Sequence, residues 1–146
     1  MAPDWAYFDT SALVKRYVRE PGSPQVRALL RRYEFLSSAI TPVEVMSALC
    51  RRRQAGDLSE ENLMTVLHRV QSDRIRWELV EVSSNVLSRA EQLIRGILSI
   101  KALDAIHVAS LITFQEASGI RIPLITSDRR QRDAARQMNL EVVWIG

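Results

Sequence analysis

Trp5-Ala6-Tyr7-Phe8-Asp9-Thr10-Ser11-Ala12-Leu13-Val14 opens with four apolar residues, turns on one acid, and continues into a segment of helical character. A short apolar run ending at a polar residue reads as a buried strand. Ser11–Val18 reads as the helix that follows, stopped by Pro21-Gly22. The same unit recurs along the chain. Phe35–Ile40 is a second strand, and Thr41-Pro42-Val43-Glu44 has the spacing of a capping box with proline at the first helical position. That helix runs to about Ala55 and stops at Gly56. Trp77–Val82 alternates like a strand and precedes a helix over Ser84–Arg95, closed by Gly96. Ile122–Thr126 precedes a helix over Asp128–Met138, and Val142–Ile145 is a last strand. Further helices start at Ser23, with Pro24 in the first turn, and at Ser59; another spans Leu103–Ala117 and ends at Gly119. Strands separated by helices predict a parallel sheet of about five strands with helices on both faces, an α/β/α sandwich.

The 146 residues suit one domain over 1–146. A single cysteine, Cys50, forms no intrachain disulfide, which fits a reducing cytoplasm, and its apolar surroundings predict a buried, inert thiol. The start, Met1 to Asp9, has neither the basic nor the apolar region of a signal peptide. No apolar run approaches the ~18 residues that span a bilayer, so no membrane association is expected. The formal charge of +3 suits a polyanionic partner. Eighteen arginines stand against two lysines, and arginine matches phosphate with a bidentate fork, although a coding bias gives the same ratio. The clusters Arg51-Arg52-Arg53 and Arg129, Arg130, Arg132 and Arg136 are the candidate contacts to a nucleic-acid backbone.

In open parallel sheets ligands bind beyond the carboxyl ends of the strands. Four acids occupy strand ends or first helical turns: Asp9, Glu44, Asp104 and Asp128. Each has a purely structural reading. Asp9 and Asp128 suit N-caps, Glu44 suits the capping box, and Asp104 suits the positive end of a helix dipole. Together they are expected to converge, and carboxylates at ~4 Å repel by about 4 kcal/mol at an effective dielectric of 20. A cation would relieve that repulsion, and oxygen donors suit Mg²⁺ or Mn²⁺ rather than zinc.

Phe8-Asp9-Thr10-Ser11-Ala12-Leu13, Thr41-Pro42-Val43-Glu44-Val45, Asp104-Ala105-Ile106-His107-Val108-Ala109 and Thr126-Ser127-Asp128, in this order, resemble the PIN-domain ribonucleases. Among these they resemble the toxin halves of bacterial VapBC-type toxin–antitoxin modules. The resemblance covers essentially the whole chain. It implies a five-stranded parallel sheet and an acidic site of Asp9, Glu44, Asp104 and Asp128 holding one or two Mg²⁺ or Mn²⁺ ions. It also implies an RNA substrate, a homodimer and an antitoxin partner. The expected reaction is phosphodiester hydrolysis by water, leaving a 5′-phosphate and a 3′-hydroxyl. Asp133 lies five residues past Asp128 on a helix and is excluded from the site.

The remaining polar residues divide between helix capping and support of the acids. Thr10 or Ser11 could orient water, and Thr126 could steady Asp128. His107, one turn from Asp104, suits either a core histidine bonded to backbone or a partner of the acids. His68 suits a solvated face, Lys101 a phosphate contact or plain surface, and Trp5, Trp77 and Trp144 the core. Between Thr41 and Arg76, Val45, Met46, Leu49, Leu63, Met64, Leu67 and Val70 offer more apolar surface than two helices usually bury, which suits a partner helix. A phosphatase using Asp9 as nucleophile would need a second aspartate two residues on, where Ser11 stands. A non-catalytic module binding RNA or protein through the same fold is the alternative reading.

Overall fold

The computed structural model describes residues 3–97 and 100–146. Five strands, β1 (Trp5–Phe8), β2 (Glu34–Ser38), β3 (Glu78–Val80), β4 (Leu124–Thr126) and β5 (Val142–Trp144), form one parallel sheet in the order β3-β2-β1-β4-β5. Among the described residues seven helices connect them: α1 (Thr10–Tyr17), α2 (Ser23–Arg32), α3 (Thr41–Gln54), α4 (Glu60–Arg74), α5 (Ser84–Gly96), α6 (Ala102–Ser118) and α7 (Arg129–Gln137). Successive side chains of a strand point to opposite faces. Accordingly Ala6 and Phe8 join Leu13, Val26, Val45 and Leu49 in the core under α1–α4. Tyr7 and Leu36 pack with Leu111 and Ala135 under α6 and α7. The expected α/β/α sandwich is therefore observed.

Boundaries differ from expectation in ways that pairing explains. The second strand stops at Ser38, because residues 39 and 40 turn and Ile40 becomes the N-cap of α3. The third and fourth strands shrink to the residues that have a neighbour in register, Glu78–Val80 against Leu36–Ser38 and Leu124–Thr126 against Val142–Trp144. Asp128 caps α7 rather than belonging to it. The N-cap of α2 is Gly22 rather than Ser23, and its left-handed φ of 90° and approach to Ile145 leave no room for a side chain. Gly96 ends α5 from inside the helix, and the cap is the extended Ile97.

The chain moves outward from β1 through β2 to β3, crosses back along α5 and α6, and enters β4 on the other side of β1. The carboxyl ends of β1 and β4 thus flank the point where strand order reverses, the usual place for a site in such sheets. Asp9 follows β1 there, Asp128 follows β4, and Asp104 lies in the first turn of the crossover helix α6. Among the described residues no helix is long and apolar enough to cross a membrane.

Candidate active site

A cleft of about 750 Å³ opens above these strand ends. Glu44, Asp104 and Asp128 line it, with Thr10, Ser11 and Gln131 between them. Asp9 lies beneath, fully buried. Its Oδ1 accepts from the Ala12 amide (2.9 Å), its Oδ2 from the Thr126 hydroxyl (2.5 Å), and the Ser11 hydroxyl lies 2.7 and 2.9 Å from the two oxygens. Burial pushes the Asp9 carboxyl above the ordinary range, while His107 and these donors pull the other way. The hydroxyls are held in turn: Ser11 Oγ accepts from the Ser127 amide and Thr126 Oγ1 from the Asp128 amide, both at 3.0 Å. Thr126 therefore steadies Asp128 through its backbone, as the sequence suggested, and also holds the Asp9 carboxylate.

Glu44 departs from the expected capping box. Thr41 places its hydroxyl 2.6 Å from Ser37 Oγ, which donates to the Phe8 carbonyl, also at 2.6 Å. The Glu44 side chain turns into the cleft, where its Oε1 accepts from Thr10 Oγ1 and lies 2.7 Å from His107 Nε2. Burial would raise the Glu44 carboxyl, but bonding to His107 and Thr10 brings it below the ordinary range. His107 is itself buried, and its Nδ1 lies 2.7 Å from the Tyr7 hydroxyl. Burial lifts the Tyr7 phenol well above its ordinary pKa, so it keeps its proton. With Tyr7 donating to Nδ1 and Nε2–H donating to Glu44, every atom in this chain is satisfied. His107 thus bonds side chains of the site, not the backbone group a core histidine would use.

Asp104 and Asp128 form the second pair. Burial raises the Asp104 carboxyl, and the charge of Asp128 raises it further. Gln131 Nε2 donates to Asp104 Oδ1 (3.1 Å), leaving Gln131 Oε1 buried with no partner. Asp128 also performs its structural role, since its Oδ1 accepts from the Arg130 and Gln131 amides at 2.8 and 3.1 Å. Asp133 is exposed, pairs with Arg132 and does not line the cleft.

The four acids share one region but do not meet at one point. Among the described residues no group of three His, Cys, Asp or Glu side chains is arranged to hold a metal ion. Like charges repel, and each carboxylate is turned toward donors of its own: Asp9 to hydroxyls, Glu44 to imidazole, Asp104 to an amide, Asp128 to its helix. In chemistry the set still fits a hard divalent cation. The donors are oxygens, the charge of Asp128 disfavours ionised Asp104, and the orphaned Gln131 Oε1 adds one more oxygen beside them.

The basic residues are distributed otherwise than expected. Arg51 and Arg52 line the cleft, but Arg52 pairs with Glu20 and Asp57, and Arg53 pairs with Glu60. Lys101 caps α6 and is exposed, while Lys15 lines the cleft, bonded to Glu20 and to the Pro21 carbonyl. Cys50 is half-buried rather than buried, as are all three tryptophans. Tyr7 and Gln131 escaped the sequence reading. An apolar-strand tyrosine facing a histidine 100 residues away carries no local signal, and Gln131 sits among surface-type residues.

Acids at the carboxyl ends of β1 and β4 and at the heads of α3 and α6 define a PIN domain. The family model described as "PIN domain" matches residues 6–137, and the chain belongs to that family. More particularly, it is VapC-like: it is 33% identical to ribonuclease VapC46 of Mycobacterium tuberculosis over 139 residues, 94% of this chain and 95% of that protein. Its fold is similar to a toxin–antitoxin complex from Klebsiella pneumoniae (TM-score 0.61, 21% identity, 86% of this chain and 88% of the other). It is also similar to VapBC2 from Rickettsia felis bound to a promoter DNA fragment (0.64, 14%, 97% and 98%) and to FitAcB from Neisseria gonorrhoeae (0.66, 18%, 94% and 95%).

Proposed function

We propose that this protein is a Mg²⁺- or Mn²⁺-dependent endoribonuclease and the toxin of a toxin–antitoxin pair. The observation that carries the reading is the cleft at the strand-order reversal, where Glu44, Asp104 and Asp128 line the surface above buried Asp9. These four acids are the residues that would hold the cation, with Gln131 Oε1 beside them. A bound divalent ion supplies Lewis-acid activation of water and screens the phosphate charge. The chain's own residues prepare the rest. His107 and Thr10 both engage Glu44 Oε1, so Oε2 remains to accept from water in the cleft. Arg51, exposed on the cleft wall and bonded to Ser47, provides a cation for the RNA backbone. Support for ribonuclease activity comes from the named activity of the 33%-identical relative.

The partner reading draws on two of the structural neighbours and on a groove of about 260 Å³ between α3 and α4. Of the seven apolar residues in this hairpin, Val45, Leu49, Leu63, Val66's neighbour Leu67 and Val70 serve the core, wholly or in part. Met46 and Met64 are exposed along the groove. An amphipathic antitoxin helix and a homodimer are the occupants this surface suits.

Incubation of end-labelled single-stranded RNA with the protein and Mg²⁺ or Mn²⁺ should give internal cuts with 5′-phosphate ends, abolished by EDTA and by Asp104→Asn. Products with 2′,3′-cyclic phosphate overturn the water mechanism. RNA binding without cleavage under any divalent ion makes the protein the non-catalytic module instead.

A further inference from the structure

A second cleft, about 740 Å³, lies at the opposite ends of the strands. Tyr33, Glu34 and Phe35 at the start of β2 and Trp77 just before β3 form its floor, with α1, α2 and the end of α4 as walls. The five residues of β2 separate it from the acidic cleft by ~13 Å along the strand. Five arginines and two acids line it, a formal surplus equal to the +3 of the entire chain. The rest of the chain is thus formally neutral.

Arg16 is neutralised by Asp73, with contacts of 2.7 and 3.2 Å. Among the described residues, Arg27, Arg31, Arg32 and Arg76 have no ion-pair partner. In the acidic cleft, by comparison, Arg52 and Lys15 are both paired and Arg51 alone of the lining cations has no acid partner among the described residues. Arg27 and Arg31 lie four apart on α2 and so share one helix face. Four such guanidinium groups line one cleft, which suits several phosphates of one strand better than a single anion. Two half-buried aromatic rings join them: Tyr33, with the Arg32 guanidinium 4.8 Å from its centroid, and Trp77. Arginine forks with aromatic faces are the combination that holds single-stranded nucleic acid without reading its sequence, because every base has a π-face. An acidic polypeptide would use the charge but leave the rings without a partner.

We propose that this basic, aromatic cleft is a second binding site for single-stranded RNA, holding a part of the substrate strand remote from the acids. The proposal rests on the ribonuclease reading and extends it. The probe is fluorescein-labelled oligouridylate, titrated by anisotropy in EDTA, where cleavage is off, across a salt series. The variant is Arg27→Ser/Arg31→Ser/Arg76→Ser; all three side chains are exposed, so its melting should match wild type. Each phosphate contact on a single strand contributes about −0.7 to the slope of log K against log salt. The triple variant should lose about 2 from the magnitude of that slope and bind at least tenfold more weakly at low salt. Trp77→Leu should weaken binding while leaving the slope intact. If the triple variant melts early, Arg31→Glu alone carries the test, with the same direction expected. Wild-type affinity and slope in the variants overturn the proposal, as does failure of wild type to bind the RNA. Tighter binding of polyglutamate than of RNA also overturns it and points to an acidic protein partner. Cleavage of the same RNA with Mn²⁺ is measured in parallel. Its absence beside cleft-dependent binding refutes the ribonuclease reading alone, and its presence beside unchanged binding refutes the second site alone.

Discussion

Replacing Asp104 by asparagine should stabilise the metal-free protein. The carboxyl is half-buried, raised above the ordinary range by burial and by Asp128, and engaged by Gln131 and by the Lys101 backbone. Asparagine retains an acceptor for Gln131 and removes the charge. Two charges 4–8 Å apart repel by about 2–4 kcal/mol at an effective dielectric of 20. Water reaches this pair, so screening reduces the expected gain to about 1 kcal/mol, or a rise of roughly 2–4 °C in melting midpoint. The sign with pH follows from linkage. A carboxyl whose folded pKa is raised binds more protons folded than unfolded, so stability falls as pH rises through the unfolded value near ~3.9 and on past the folded one. The advantage of Asp104→Asn should therefore be full at neutral pH and vanish in acid below that window. Mg²⁺ should reverse the order. At a hundred times its dissociation constant it stabilises wild type by about 2.7 kcal/mol, whereas a variant with hundredfold weaker affinity gains only about 0.4. The assay is thermal melting of both proteins across a Mg²⁺ series in EDTA-treated buffer. Equal Mg²⁺-induced shifts in the two proteins refute the idea that these carboxylates form a cation site.

Asp9→Ala should act in the opposite direction. It strands the Thr126 and Ser11 hydroxyls and the Ala12 amide in the interior, a loss of about 2–4 kcal/mol visible as a lower urea midpoint, together with loss of cleavage. His107→Phe should leave the buried Tyr7 hydroxyl without its acceptor, costing about 1–3 kcal/mol. By releasing Glu44 it should also lower kcat roughly 10–100-fold, and loss of kcat no greater than the fold's destabilisation explains would count against the positioning role. Asp73 binds Arg16 and the Tyr17 hydroxyl (2.5 Å), and burial notwithstanding, these partners hold its carboxyl below the ordinary range. Its contribution is therefore present above pH ~3.9 and lost as pH falls through the folded value. Asp73→Asn should lower the neutral-pH urea midpoint by the equivalent of about 1 kcal/mol, after discounting for exposure, and by little in strong acid.

The sandwich was legible because the apolar strands and the caps of their helices are local signals. Asp9 and Asp128 stood out because each follows an apolar run, and the structure gives both the capping role and a place at the cleft. Thr41 and Glu44 have the right spacing for a capping box, but Ser37 and His107 offer them stronger partners from other elements. The His107 contacts to Tyr7 and Glu44 join residues 100 and 63 positions apart, and no spacing rule reaches that far. The strand-holding arginines were sought in Arg51-Arg52-Arg53, where sequence shows charge but not the acids of α2's approach and α4 that neutralise two of the three. The unpaired arginines of the second cleft come from α2 and from the residue before Trp77, and only the fold brings them together.

The bond from Thr126 to Asp9 spans 117 residues, and that from the Ser127 amide to Ser11 spans 116. A chain leaving the ribosome at ~5–20 residues per second exposes Asp9 roughly 6–23 s before the hydroxyl that holds it is even synthesised. The half of the cleft made first is thus a buried-acid position without its donor, facing an absent β4 and α7. Interrupted translation anywhere before residue 126 yields a product in which the centre has never existed.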